Sequence, residues 1–392
     1  MPNDIVIVAA KRTPMGSFQG GLAAVSATEL GATAIQGAVD EVGIDTHDID
    51  EVYMGCVLAA GLGQAPARQA AIKAGLQEST PATTINKVCG SGMKAIMLAA
   101  DQLQLNRANL VIAGGMESMS NAPYVLKKAR AGYRMGHDQL YDHMFVDGLE
   151  DAYSGDSMGV HAQATADEHG LTREALDNFA LASLKRARHA IEHQWFHREI
   201  TPVTIQHRRG DSRIDTDEQP GLVKPEKIPT LRPAFTPDGT ITAANASSIA
   251  DGASALMLTR NDQASALKLK PIARIVDYTA YAQAPSRFTC APIGAINVLL
   301  ERQQLHASDI DLVEINEAFA TVPLLAMNAI GFTAEQTNIA GGACALGHPL
   351  GSSGSRIVVT LLHNLIRENK KRGLAAACIG GGEATAILVE LC

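Results

Sequence analysis

Asp48-Ile49-Asp50-Glu51-Val52 returns, 309 − 48 = 261 positions later, as Asp309-Ile310-Asp311-Leu312-Val313. Each copy follows a helical stretch and opens a strand-like run. Two further likenesses keep the same order. Gly90-Ser91-Gly92, ahead of an apolar helix, has a counterpart in Gly351-Ser352-Ser353-Gly354, and Gly114-Gly115-Met116-Glu117 in Gly381-Gly382-Glu383. The offsets stay between 261 and 267 (381 − 114 = 267). Three ordered similarities at nearly one spacing indicate a duplicated half rather than chance.

Around these anchors the chain alternates short apolar runs with helical periodicity. Ile5–Ala10, Glu51–Val57, Thr84–Val88 and Leu110–Gly114 read as strands. Thr28–Val42, Pro66–Ala74 and Gly92–Leu105 read as helices. That alternation predicts an α/β layered fold. The halves are separated by an insert over residues 119–248, richer in charge, histidine and proline and holding the single Trp195. Within it Thr172–His193 reads as a helix, with Thr172 and Glu174–Asp177 as its start signal. An insert of this size is expected to cover a site or join subunits.

Composition narrows the function. The chain has 392 residues, 46% hydrophobic and 19% charged, with a net charge of −8. That balance argues against a general grip on nucleic acid. Lys127, Lys128, Arg130 and Arg134 read as a solvated run, with a phosphate-bearing ligand as the sharper alternative. The six cysteines show neither C-x-x-C nor paired spacing, so no zinc site or disulfide framework is predicted. No signal peptide opens the chain and no run approaches a membrane span, so a soluble cytoplasmic protein is expected.

Four short segments carry chemistry. Cys89 stands in Asn86-Lys87-Val88-Cys89-Gly90-Ser91-Gly92, between a strand and a helix. A helix N-terminus favours thiolate only modestly, so a nucleophile there needs a neighbouring base. His348 lies in Gly347-His348-Pro349, on a loop that can aim it into a cleft. Cys378 precedes Gly380-Gly381-Gly382, which lacks the strand–G-x-G-x-x-G–helix order of a nucleotide loop and reads as a tight turn exposing N–H groups. Asn316 sits in Glu314-Ile315-Asn316-Glu317-Ala318-Phe319 at a strand's end, where capping the next helix is the plain alternative. Taken singly, Cys89 reads as a small buried residue and His348 as a hydrogen-bonded loop residue.

Together, Val88-Cys89-Gly90-Ser91-Gly92, Asn316-Glu317-Ala318-Phe319, Gly347-His348-Pro349 and Cys378-Ile379-Gly380-Gly381-Gly382 resemble the four active-site motifs of thiolases, in the family's order and spacing. The similarity extends to Gly114–Ser120 and Leu231–Phe235, and is closest to the bacterial acetyl-CoA acetyltransferase subgroup. It implies a five-layered αβαβα fold of two duplicated halves with an inserted loop domain. The halves would be residues 1–118 plus 249–270, and 271–392, with 119–248 as the loop domain over the coenzyme A site.

The same resemblance implies the reaction. Two acetyl-CoA would condense to acetoacetyl-CoA and CoA, or the reverse, through an acetyl-Cys89 intermediate. Cys89 is the implied nucleophile, His348 its base and Cys378 the group that moves the methyl proton. His348 and a water on Asn316 would hold the enolate, and the N–H groups of Cys89 and Gly380 the tetrahedral oxyanion. Met158, Phe235, Ala243, Ser247, Phe288, Ala318 and Phe319 would line the coenzyme A and acyl path. Read alone, Phe235 and Phe319 are core residues and Ser247 a loop hydroxyl. Coenzyme A enters as substrate and product, so no cofactor or metal is implied, nor any nucleic-acid or membrane partner. A homo-oligomer is expected, a tetramer ahead of a dimer.

Three departures from the subgroup stand out. Ser157-Met158-Gly159 replaces His-Met-Gly, Phe288 replaces a frequent Met, and Asp217-Glu218 is followed by Gln219-Pro220-Gly221 rather than a basic residue. The first two bear on chain-length and branching preference. The third leaves Lys224 or Lys227 to meet the nucleotide phosphate. The alternatives are a degradative 3-ketoacyl-CoA thiolase of broader chain length and, more remotely, a non-catalytic acyl-CoA or lipid-binding relative.

Overall fold

The computed structural model describes residues 3–208 and 210–392. The first half runs β1 (Ile5–Arg12), α1 (Ala27–Val42), β2 (Glu51–Gly55), α2 (Pro66–Lys73), β3 (Ala82–Ile85), α3 (Ser91–Gln104) and β4 (Leu110–Ser118). A long excursion carrying α4 (Met158–Glu168) and α5 (Arg173–Glu192) then returns as β5 (Ala250–Arg260). The second half follows as β6 (Ala273–Ala282), α6 (Ala291–Arg302), β7 (Leu312–Ile315), α7 (Thr321–Ile330), α8 (Leu350–Arg367), β8 (Arg372–Ile379) and β9 (Glu383–Leu391).

Strand order makes the duplication visible. From its outer edge the first half runs β3-β2-β4-β5-β1, and the second β7-β8-β9-β6, meeting where β1 pairs with β6. Parallel and antiparallel partners match throughout: β2–β4 and β7–β8 are parallel, while β4–β5 and β8–β9 are antiparallel. The remnant of a fifth strand in the second half is a parallel bridge from Val313 to Thr337.

The repeated aspartates explain why the motif survives in both halves. Asp50 accepts from the N–H groups of Asn109 (2.6 Å) and Leu110 (3.1 Å), and its own N–H donates to the Leu110 carbonyl at 2.9 Å. Asp311 accepts from Lys371 (3.0 Å) and Arg372 (2.8 Å), and its N–H donates to the Arg372 carbonyl at 2.9 Å. In each copy one carboxylate clamps the start of the next parallel strand, β4 or β8. A side chain that satisfies two N–H groups beyond the ladder defines where that strand begins.

Helices α3 and α8 fill the space between the sheets, in an apolar cluster with Met93, Ile96, Leu103, Ile357, Leu361 and Leu365. Helices α1 and α2 cover the outer face of the first half, and α6 and α7 that of the second. The layering is therefore αβαβα. The central contact is close: a Cβ on Gly92 of α3 would lie 2.4 Å from Ser355 Oγ of α8, and one on Gly115 of β4 would lie 1.9 Å from the Gly351 carbonyl. Only glycine permits backbones to approach so nearly. Among the described residues, no helix is long and apolar enough to cross a membrane.

The excursion is bound to the core by buried charge. Arg12, at the end of β1, donates to Glu199 at 2.5 Å and bidentately to Asp217 at 2.7 and 2.8 Å. A buried guanidinium needs such a paired set to offset its desolvation. Thr172 caps α5 by accepting from Ala175 N–H at 3.1 Å, as the sequence leads one to expect.

Candidate active site

Cys89 lies in the turn between β3 and α3, and this turn departs from the sequence reading. Thr84–Val88 does not remain a strand: β3 ends at Ile85, and Val88 has φ +45°. A β-branched residue in the left-handed region is strained and needs outside support. Asn86 Oδ1 accepts from Val88 N–H (3.0 Å), and Ser91 Oγ accepts from Lys87 N–H (2.8 Å) and donates to the Val88 carbonyl (2.6 Å). Lys87 is also paired with Glu383, tying the turn to the other half. The polar residues beside Cys89 thus break the strand and hold the thiol forward.

His348 follows Gly347 and precedes the first turn of α8, with its N–H donating to the Ser248 carbonyl at 2.9 Å. Asn316 leaves the end of β7 and donates from its N–H to Ala376 at 2.9 Å. Its side chain caps no helix; Nδ2 lies 3.4 Å from His348 Nε2 and 3.5 Å from Nδ1, and Oδ1 is buried with no partner among the described residues. The capping alternative is thereby removed. Cys378 ends β8, and Gly381 and Gly382 take φ of +90° and +85°, making the tight turn into β9.

Cys89, His348 and Gly380 line one cavity of about 220 Å³ with Met158, Phe235, Ser247, Phe288, Ala318 and Phe319 among others, while Asn316, fully buried, reaches it only through His348. Cys378 is 1% exposed and lies behind the wall rather than on it. Ala243 lines a neighbouring cavity of about 310 Å³ with Lys224, Lys227 and Leu231; Ser248 belongs to both. Phe319 meets Phe235 and Phe288 edge-on, with centroids 6.0 and 6.1 Å apart, so three rings form the apolar wall. Phe145, Leu149 and Ser248 also line the first cavity, without any sequence signal.

Burial sets the protonation states. It pushes the Cys89 thiol up to about 11, although N–H groups of Gly380 and Cys89 itself donate toward the sulfur and pull the other way. Burial, and then the charge of Arg356, lowers His348 to about 3. Burial raises Cys378, and a thiolate on Cys89 would raise it further. The resting pair is a neutral thiol and a neutral imidazole, and the two cysteines titrate against one another.

Two buried carboxylates brace this arrangement. Glu117, pushed up to about 7 by burial, accepts from Val57, Leu58 and Gly351 N–H groups at 3.0, 3.0 and 2.8 Å. It thereby pins the first turn of α8 against the first half. Glu317 accepts from Ser183 Oγ, Asn338 Nδ2 and Cys344 N–H at 2.7, 2.8 and 3.0 Å. Both appear in the quoted motifs, yet a glutamate beside a motif does not announce which backbone groups it will meet. Among the described residues, no cluster of three or more His, Cys, Asp or Glu is placed to hold a metal ion.

Two thiols, an imidazole and converging N–H groups on the seam of a duplicated αβαβα fold define an acyl-transferring, cysteine-dependent site. The chain belongs to the thiolase family: residues 5–262 match the thiolase N-terminal domain and 269–391 the C-terminal domain. It is 48% identical over 386 residues to an acetyl-CoA acetyltransferase of Pseudomonas aeruginosa, covering 98% of each chain. Its fold matches that of the Bacillus anthracis acetyl-CoA acetyltransferase with a TM-score of 0.97 at 39% identity, covering 100% of this chain and 99% of the other. A thiolase of Ascaris suum in complex with coenzyme A matches with a TM-score of 0.94 at 41% identity, covering 99% and 100%.

Proposed function

We propose that this protein is an acetyl-CoA C-acetyltransferase, joining two acetyl-CoA into acetoacetyl-CoA and CoA and running the reverse thiolysis. The observation that carries the reading is the meeting of Cys89, His348 and Gly380 on one apolar cavity, with Cys378 close enough behind the wall to feel a charge on Cys89.

His348 takes the Cys89 proton as sulfur attacks the thioester carbonyl, and passes it to the departing CoA thiolate. Because both groups rest neutral, proton transfer accompanies attack rather than preceding it. The Cys89 and Gly380 N–H groups already point at the sulfur, within reach of the oxygen that gains charge. After CoA leaves, Cys378 passes its thiol proton to His348, and the resulting thiolate takes a methyl proton from a second acetyl-CoA. The enolate, held by the Nε2–H of the protonated His348 and a water on Asn316 Oδ1, attacks acetyl-Cys89. Collapse of that adduct releases Cys89, which recovers a proton through His348. The unpartnered Oδ1 is the acceptor such a water requires.

Pantetheine enters past Ser247 and Phe235, with the nucleotide end over the adjoining cavity, where Lys224 and Lys227 supply positive charge and Ala243 the floor. The ring wall supports short acyl groups, since a longer chain must displace Phe288, which is 2% exposed. The chemistry calls for no cofactor beyond its substrates. We also propose a homotetramer. The excursion bears Tyr124, Leu126, Met135 and Leu140, exposed by 64, 48, 98 and 63%, and association is what covers such a patch. Six free thiols suit a reducing cytoplasm.

Initial rates of CoA-dependent thiolysis test the reading. Acetoacetyl-CoA is expected to be cleaved much faster than a 3-ketoacyl-CoA several carbons longer. Comparable or faster cleavage of the longer substrate would transfer the assignment to a broad-range degradative thiolase.

A further inference from the structure

Ser353 is 0% exposed, in the first turn of α8, and the reaction scheme above gives it no role. Its Oγ lies 2.5 Å from His348 Nδ1 and 2.9 Å from the Pro349 carbonyl oxygen. The Pro349 carbonyl only accepts, taking the N–H groups of Ser352 and Ser353 at 3.0 and 2.9 Å as well, and the hydroxyl is placed to donate to it. What remains on Ser353 Oγ facing the imidazole is a lone pair. With the hydroxyl proton directed at Pro349, Nδ1 carries the ring proton.

From this geometry we propose that Ser353 is a positioning residue that fixes the tautomer of His348, with Nδ1 protonated and Nε2 free to act as the base. The inference rests on the reading of His348 as the base for Cys89. It adds which nitrogen acts and what makes it act. Asn316 Nδ2, a donor, lies 3.4 Å from Nε2 and 3.5 Å from Nδ1, beside the ring rather than in line with one nitrogen.

The arrangement is a relay of cysteine, histidine, serine and a backbone carbonyl. It differs from a triad whose histidine is backed by a carboxylate. A hydroxyl orients the ring as a carboxylate does, but offers far less to an imidazolium. Arg356, buried in the next turn of the same helix, opposes a charge on the ring. The imidazolium is therefore a passing state, suited to a proton that moves from Cys89 to the leaving thiolate within one step. Ser353 acts by keeping the unprotonated nitrogen available, not by stabilising charge.

The test is 15N NMR of histidine-labelled enzyme at neutral pH, with the His348 signals identified by their loss in His348→Asn. The wild type is expected to show a protonated Nδ1 and a bare Nε2. In Ser353→Ala both tautomers should be populated. The first-turnover release of CoA from acetyl-CoA should fall about tenfold, the scale of one hydrogen bond, with KM for acetyl-CoA unchanged. Ser353→Thr, which keeps the hydroxyl, should restore both readouts. A wild-type ring protonated at Nε2 would overturn the proposal, and that measurement decides the matter even if no variant folds. So would a Ser353→Ala enzyme with wild-type acylation while His348→Ala has lost it. If His348→Ala also acylates at the wild-type rate, it is the assignment of the base that fails.

Discussion

The two halves share a scaffold and divide the chemistry. Asp50 and Asp311 make the same three hydrogen-bond connections to the following parallel strand. Elsewhere equivalent places have separated in purpose. The turn before α3 presents Cys89, while the turn before α8 presents His348. The end of β4 carries Glu117, a brace, while the end of β8 carries Cys378 and the glycine turn. Duplication supplies two helix starts and two strand ends at one seam, and a bimolecular condensation needs that many separate attachment points.

The sharpest way to probe this division is to remove one thiol at a time. Cys89→Ala should abolish the acyl-enzyme, seen by mass spectrometry of protein exposed to acetyl-CoA. Cys378→Ala should still acylate but lose condensation by about 10²–10⁴-fold, the range for loss of a positioned proton mover. Full condensation in either variant would break the assignment.

Glu117 offers a test on stability. Gln in its place keeps one acceptor oxygen and turns an amide nitrogen toward backbone donors, at a cost of about 1–3 kcal/mol by chemical denaturation. The pH dependence has a definite sign. A carboxyl raised from 4.5 to about 7 on folding contributes most below its unfolded value, and that contribution is lost as pH climbs toward 7. Glu117→Gln should therefore flatten the fall in unfolding free energy between those limits.

The smallest effect concerns what the halves hold in common. Asp50→Ala and Asp311→Ala should each cost about 1 kcal/mol in urea denaturation, since each unpairs two N–H groups, at or near the surface, that water can partly serve. A markedly larger cost in one half would show that the shared clamp carries unequal weight.

The fold was legible because the duplication is written in residues with a backbone duty. An aspartate that clamps the next strand resists drift, so Asp-Ile-Asp can be recognised at a distance of 261 positions. The αβαβα layering needed the family resemblance, since alternation alone does not say how sheets stack. Thr84–Val88 was misleading because its β-branched Thr84, Ile85 and Val88 favour a strand. The end of that strand is decided by side-chain hydrogen bonds from Asn86 and Ser91. At the site, the residues with distinctive chemistry were readable and their supports were not. Gly351-Ser352-Ser353-Gly354 reads as a helix opening, and nothing in its spelling says that the second serine reaches back to an imidazole five residues earlier. Ala243, expected along the coenzyme A path, lines the adjoining cavity together with Lys224 and Lys227.

The near-contact of Gly92 with Ser355, and of Gly115 with Gly351, has a mechanical corollary. Enzymes that sit between two lobes often admit substrate by swinging those lobes apart. Here the lobes are interlocked at backbone distance directly beneath the reacting groups, and a swing would break the core before it widened the mouth. The proposed order of events, acyl group deposited and carrier withdrawn before a second carrier arrives, asks for no such swing.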